Sequence, residues 1–371
     1  MIGNITVNKT IKYRLYPTDN QKEFFIKSFG CCRKIWNLML ADKIEHYKTT
    51  GKMLMTTPAQ YKKDYPYLKE VDSLALTNVQ LHLQAAYSSF FNGKTGFPKF
   101  KSSKHSRKSY TTNNQNSTIS ISENSIKLPK IGFIKAKIHR RPELNWELKS
   151  ATISQDNDGK FYASILFEFD KIIDNVLVSD SAIGLDYKSD GFYTDSNGNI
   201  CGSPKYYRKS QKKLAKLQRQ LSRKAKGSNN SNKTRLKVAR VSKHVSNQRL
   251  DFLHKKSTEI ANQYDIVCVE SLDMKNMSNK GFGNGKATLD NGYGMFLTML
   301  DYKLADRGKY FVKVDKWFPS SQICYACGKQ HKEMKNLSIR HFKCECEYSN
   351  DRDVNAALNI KREGLRLLQT A

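Results

Sequence analysis

Two short cysteine pairs, Cys324-Tyr325-Ala326-Cys327 and Cys344-Glu345-Cys346, lie 16 residues apart. At this spacing two tight turns bring four thiolates to the corners of a tetrahedron, the arrangement a structural zinc ion takes, and Gly328 supplies backbone freedom for the first turn. The second pair is one residue shorter than the usual knuckle. Four thiolates leave no open coordination position, so zinc here would serve structure rather than catalysis. His331 and His341, between the pairs, are reserve ligands, or else surface residues or phosphate contacts. Five residues past Cys346 the chain reads Asp351-Arg352-Asp353-Val354-Asn355-Ala356-Ala357, an acidic helix start. A knuckle at this place would brace a helix running from about Asp351 to Leu368 and aim one of its carboxylates.

Two further acids stand at comparable places. Ser181-Ala182-Ile183-Gly184-Leu185-Asp186 and Asp265-Ile266-Val267-Cys268-Val269-Glu270 are each a short apolar strand ending in a carboxylate. On the late helix, the apolar arc of Val354, Ala357, Ile360 and Leu368 lies nearer to Asp353 than to Asp351, so Asp353 is the inward candidate. Asp351 fits an N-cap, while Arg352 and Asn355 suit contacts to nucleic acid, a ligand or neighbouring charges. Like charges brought together need cations, and two magnesium ions roughly 3.5–4 Å apart can activate a water and stabilise a leaving oxygen of a phosphodiester. The element order around these acids, three strands, helix, strand, helix, strand, helix, suits a ribonuclease H-like fold.

The partner class follows from charge. Lys and Arg number 64 against 34 Asp and Glu, a formal net charge of +30. From Lys205 to Lys256 there are 18 basic residues and one acid, Asp251, across two expected helices, Tyr206 to Lys224 and Lys233 to Tyr264. Such an imbalance favours contact with a phosphate backbone. No run of about 18 apolar residues argues for a membrane span, and the scattered Cys31, Cys32, Cys201 and Cys268 fit free thiols in a reducing compartment. The expected location is cytoplasmic.

The first half reads as a strand from Ile5 to Tyr16, then helices carrying Phe24, Phe25, Phe29, Cys32, Ile35, Trp36 and Met39 as a core stripe, with breaks at Gly51, Pro58 and Pro66. A loop of interleaved cations and aromatics follows, from Gly96 to Tyr110. Strands are expected over Ser117–Leu128, Gly132–His139, Glu147–Gln155 and Lys160–Phe169, the last two joined by the turn Asp156-Asn157-Asp158-Gly159. A small antiparallel barrel packed with the helical lobe is the simplest assembly. The stretch from Ser278 to Asn291 reads as a mobile loop able to gate the site.

Ile183-Gly184-Leu185-Asp186, Val269-Glu270-Ser271-Leu272, Ser320-Ser321-Gln322-Ile323-Cys324-Tyr325-Ala326-Cys327-Gly328 and Asp351-Arg352-Asp353-Val354-Asn355-Ala356-Ala357-Leu358-Asn359-Ile360 together resemble the RuvC and zinc motifs of the TnpB family, transposon-encoded relatives of type V CRISPR nucleases. Lys12-Tyr13-Arg14-Leu15-Tyr16-Pro17 and Phe97-Pro98-Lys99-Phe100-Lys101 resemble its N-terminal signatures. Lys188 and Glu347 depart from the pattern, each standing where the family commonly has Gly.

The resemblance implies an RNA-guided DNA endonuclease of a transposon, acting next to a short flanking DNA motif. Its catalytic, magnesium-binding acids would be Asp186, Glu270 and Asp353, and its zinc ligands Cys324, Cys327, Cys344 and Cys346. The partners would be a guide RNA from the transposon end and double-stranded target DNA, with no membrane, and the protein a monomer or weak dimer. The expected architecture is multidomain α+β and α/β. Residues 1–17 and 96–178 form a wedge-like β-barrel that binds nucleic acid, with a helical recognition lobe at 18–95. Residues 179–319 and 351–371 form a RuvC-like nuclease domain, with a zinc-binding insertion at 320–350. A transposase or recombinase using the same triad, or a non-cleaving RNA-guided repressor, are the alternatives.

Overall fold

The computed structural model describes residues 2–174, 181–279, 281 and 285–370. The chain divides into two units, Ile5–Lys171 and Ile172–Ala371 with Met1–Asn4. The junction expected at 178/179 lies outside the described residues.

In the first unit the alternating start of the chain forms β1 (Ile2–Leu15), which buries Ile11, Tyr13 and Leu15. After Pro17, Thr18 caps the helix α1 (Asp19–Thr50) through a reciprocal capping box with Gln21. Gly51 ends α1 in the left-handed conformation, φ 68°. Two 3-10 turns begin at Pro58 and Pro66, and α2 (Ser73–Phe91) is capped by Asp72. The strands are β2 (Lys108–Asn113), β3 (Ser120–Ile121), β4 (Ser125–Leu128), β5 (Gly132–Lys137), β6 (Glu147–Gln155) and β7 (Phe161–Asp174).

These strands form one seven-stranded sheet in the order β2-β6-β7-β1-β5-β4-β3. Its ladder ends at β2 and β3, and among the described residues no pairing joins those ends into the expected closed barrel. The expected strand Ser117–Leu128 is instead a hairpin: Ser122 N–H donates to the Ser125 carbonyl at 2.9 Å, and β3 turns back on β4. Lys108–Asn113, the end of the expected loop and its continuation, pairs with β6 and buries Tyr110 and Thr112. The α1 stripe is core, as expected: Phe25 lies 5.6 Å from Phe161 and 6.3 Å from Tyr110 between ring centroids.

The second unit begins with β8 (Ala182–Tyr187), β9 (Tyr193–Asp195) and β10 (Ile200–Cys201), followed by α3 (Tyr206–Ser222) and α4 (Asn229–Gln263). Then come β11 (Ile266–Glu270), α5 (Met274–Met277), α6 (Gly285–Asn291), α7 (Tyr293–Ala305), β12 (Tyr310–Val314), β13 (His341–Lys343), β14 (Ser349–Asp351) and α8 (Arg352–Gln369). The sheet order is β10-β9-β8-β11-β12: β8, β9 and β10 run antiparallel, and β11 is parallel to both β8 and β12. Strands covered on both faces read as unbroken apolar runs, and β8 and β11 do so.

One face packs with α4 and α7 through Leu253, Tyr293, Phe296 and Leu300, and α8 lies on the other with Ile360 against Ala182, Ile266 and Cys268. Two glycines allow that second approach. A Cβ on Gly184 would lie 2.1 Å from the Ala357 carbonyl oxygen, and one on Gly364 would lie 2.3 Å from Cys268 Sγ.

The stretch expected to be a mobile loop departs from that reading. Residues 280 and 282–284 lie outside the described residues, but 285–291 form α6. Its Asp290 is buried, accepts from the backbone N–H groups of Tyr207 and Arg208 at the start of α3, and pairs with Arg249 of α4.

Candidate active site and metal centre

Parallel pairing of β8 with β11 sets Leu185 beside Val269, so the residues that follow, Asp186 and Glu270, emerge at adjacent strand tips. Asp353 reaches the same place from the first turn of α8. Asp351 aims it, accepting from the backbone N–H groups of Asp353 and Val354 as an N-cap. All three carboxylates line one open cleft of about 620 Å³, walled also by Lys188, Lys316, Trp317, Leu337 and Arg340.

The electrostatics of the cleft are those of crowded acids. Burial, then Asp353 and Glu270, push Asp186 well above the usual carboxylate range, and burial raises Glu270 to about 7. Lys188 Nζ donates to Asp353 Oδ2 at 2.8 Å. Asp186 and Glu270, both pushed toward the protonated form, are carboxyls whose charge a divalent cation would stabilise. Elsewhere, the four cysteine sulfurs lie within 4.8 Å of one another.

The cysteine site is compact. Cys324 and Cys346 sulfurs are 3.6 Å apart, as are those of Cys327 and Cys344. Four Zn–S bonds of about 2.3 Å in a tetrahedron require sulfur separations of about 3.8 Å, so the donor set fits zinc. The Lys329 backbone N–H, then Cys346, draw the Cys327 thiol down to about 7. Gly328 makes the first turn at φ 78°, and Glu347 makes the second at φ 68°. The position where the family pattern has Gly does demand left-handed backbone, and this chain meets it with a side chain present. His331 is a buried residue rather than a surface one: its Nε2 lies 3.2 Å from Cys344 Sγ and its Nδ1 3.0 Å from Glu333. His341 is exposed, 2.7 Å from the Ser349 hydroxyl.

Sequence reasoning missed the clamp between this knuckle and α8. Arg352 is buried and donates to the carbonyls of Asn336 and Ile339, so it holds protein rather than nucleic acid. Asn355 donates to the Ile323 carbonyl and accepts from Tyr325 N–H. Asn359 donates to the carbonyls of Ser320 and Ile323. Polar residues at positions 352, 355 and 359 share one helical face, and that spacing was the available signal.

The basic stretch is helical as expected. No residue of α3 is buried, and α3 contains no acid. Its cations face outward. Among the described residues no helix is long and apolar enough to cross a membrane.

Three family models match the chain: "Probable transposase" over residues 164–281, "Cas12f1-like, TNB domain" over 293–360, and "Helix-turn-helix domain" over 1–52. The last region is here a strand followed by a single long helix. A "Putative RNA-guided DNA endonuclease" of Streptomyces pristinaespiralis is 34% identical over 97% of this chain and 90% of its own. The "Putative RNA-guided DNA endonuclease InsQ" of Escherichia coli (strain K12) is 31% identical over 97% of this chain and 93% of its own. A shorter match, 30% over a third of the chain and 24% of that protein, is to the TnpB-like protein L79 of Acanthamoeba polyphaga mimivirus. Among solved structures, the "Cryo-EM structure of the Cas12f1-sgRNA-target DNA complex" aligns over 96% of this chain and 99% of that one, with a TM-score of 0.63 and 14% identity. The chain therefore has a Cas12f1-like multidomain α+β fold.

Proposed function

The chain belongs to the TnpB family of IS605 OrfB proteins, and from that membership we propose that it is an RNA-guided DNA endonuclease cutting phosphodiesters at Asp186, Glu270 and Asp353. The observation that carries the reading is the meeting of two parallel strand tips and a helix start at one open acidic cleft. The strand order β10-β9-β8-β11-β12 supports a ribonuclease H-like nuclease core. Two magnesium ions, when bound, would supply an activated water and charge for the leaving oxygen.

The chain's own residues define how such ions would be held. Asp186 feels the charges of both Asp353 and Glu270, and these three carboxylates would hold the ions. Cys324, Cys327, Cys344 and Cys346 would hold zinc in the knuckle, and the clamp of Arg352, Asn355 and Asn359 ties the knuckle to the helix that carries Asp353. The outward cations of α3 and α4 take RNA or DNA backbone, while sequence choice rests on base pairing to the guide. Residues 1–17 with 96–178, and 18–95, serve as the guide- and target-binding parts. Residues 179–319 with 351–371 are the nuclease, and 320–350 its zinc-bearing insertion.

The test is cleavage of matched double-stranded DNA by the chain purified with its co-expressed RNA, in magnesium. The wild type cuts and Asp186→Ala does not. Undiminished cutting by the variant would overturn the assignment, and joined strands in place of cut ends would move it to a transposase.

A further inference from the structure

The cleft wall carries a feature that the carboxylates do not explain. Trp317 is 80% exposed at its edge, whereas Trp36 and Trp146 are at most 9% exposed. Its exposure is built in by the turn that bears it. Asp315 accepts from Trp317 N–H through its side chain and from Phe318 N–H through its carbonyl, and Phe318 packs into the core cluster of Val314 and Ile360. Anchoring Phe318 inward leaves Trp317 outward. Lys316 Nζ sits 4.8 Å from the centre of its ring. Leu337, 72% exposed, lines the same cleft, as does the cation Arg340.

An indole held open to solvent beside cations, on the wall of an acidic catalytic cleft, matches one ligand chemistry: an unpaired nucleobase with its phosphates. The base stacks on the ring while Lys316 and Arg340 take the backbone charge. Bases inside a duplex are stacked on both faces and offer none to the ring. We propose that Trp317 is a positioning residue that stacks a base of single-stranded nucleic acid next to the scissile phosphate, so that the cleft selects strands already opened. The proposal rests on the nuclease reading of the cleft for its meaning, but the binding surface can be tested apart from it.

The probe is a short oligothymidylate added to the full-length protein with its RNA, in calcium and at high salt, where the electrostatic share of binding is screened. Trp317 emission falls on stacking, and the two buried tryptophans do not respond. Trp317→Phe loses the signal yet keeps the affinity in a competition assay, whereas Trp317→Ala binds about 5- to 100-fold more weakly. In cleavage, Trp317→Ala raises KM more than it lowers kcat, and Trp317→Phe restores KM. Equal affinity and equal KM for the wild type and Trp317→Ala would overturn the proposal while leaving the nuclease reading intact. Trp317-dependent quenching in a protein that never cuts would do the reverse.

Discussion

Lys188 Nζ donates to Asp353 Oδ2 at 2.8 Å, across 165 positions of sequence, so the third acid of the cleft is held by a cation of this chain at a position where its family commonly has glycine. Both side chains are largely shielded, at 23% and 15% exposure, so the contact is screened less than a surface pair. A divalent ion held by that carboxylate would have to displace the lysine. Lys188→Met removes the competitor and keeps the stem, so magnesium or manganese binds about fivefold more tightly, an effect of about 1 kcal/mol. Calorimetric titration of the metal-free protein checks this, and unchanged affinity would mean that the pair does not oppose the ion.

Relief of the acid cluster has its own signature. Asp186→Asn keeps the shape but removes the charge that burial and two neighbouring carboxylates oppose. The metal-free variant melts about 2–4 °C higher than the wild type while its cleavage falls at least about 100-fold. A variant that melts lower would indicate that Asp186 makes net favourable contacts.

The pH dependence follows from Glu270, raised by burial from its ordinary 4.5 to about 7. A carboxyl whose folded-state pKa lies above the unfolded value contributes stability that is complete below the unfolded pKa and is lost as pH rises through the folded one. In a chelator, the wild type therefore loses stability relative to Glu270→Gln between pH 4.5 and about 7. Magnesium then restores progressively more as pH rises. Melting curves of both proteins across that window, with and without the ion, decide it.

At the knuckle, Glu347 holds φ 68°, a conformation costing a side-chain residue about 1–2 kcal/mol. Glu347→Gly relieves it, and zinc is lost to a chelator more slowly than from the wild type. Faster loss would show that the Glu347 side chain serves the turn.

The clamp predicts the opposite sign. Asn359 is fully buried, and Asn359→Ala leaves the carbonyls of Ser320 and Ile323 without this donor, at a cost of about 1–3 kcal/mol. Zinc release speeds up and amide exchange rises in the first turn of α8. Exchange confined to the knuckle would mean that the two elements are not coupled.

Gly184→Ala tests the closeness of α8 to β8. The added methyl meets the Ala357 carbonyl and the Lys361 backbone nitrogen, neither of which can move without the helix. A loss of about 3 kcal/mol with loss of cleavage is expected in denaturant unfolding and activity assays.

Much of the site was legible before any fold was known. An apolar run ending in an acid describes a buried strand and its tip, so Asp186 and Glu270 stood out. Helical periodicity separated inward Asp353 from the N-cap Asp351, and the cap is made as expected. The errors came where local pattern is silent. Lys108–Asn113 continues a cation-rich loop in composition, yet it pairs with β6 because that edge needed a partner. Residues 285–291 read as mobile from their glycine, lysine and asparagine, but Asp290 is buried and has partners on α3 and α4 that no nearby residue announces.

The sequence by itself determined the thiol spacing, the strand-and-acid units and the basic helices, because each depends on residues within a few turns of one another. The tertiary structure alone decided which charges meet. It paired Lys188 with Asp353, buried Arg352 and His331 at the knuckle, and held Asn355 and Asn359 against its carbonyls. Buried donors and acceptors must find partners wherever the packed chain brings them, and that requirement acts through space rather than along the sequence.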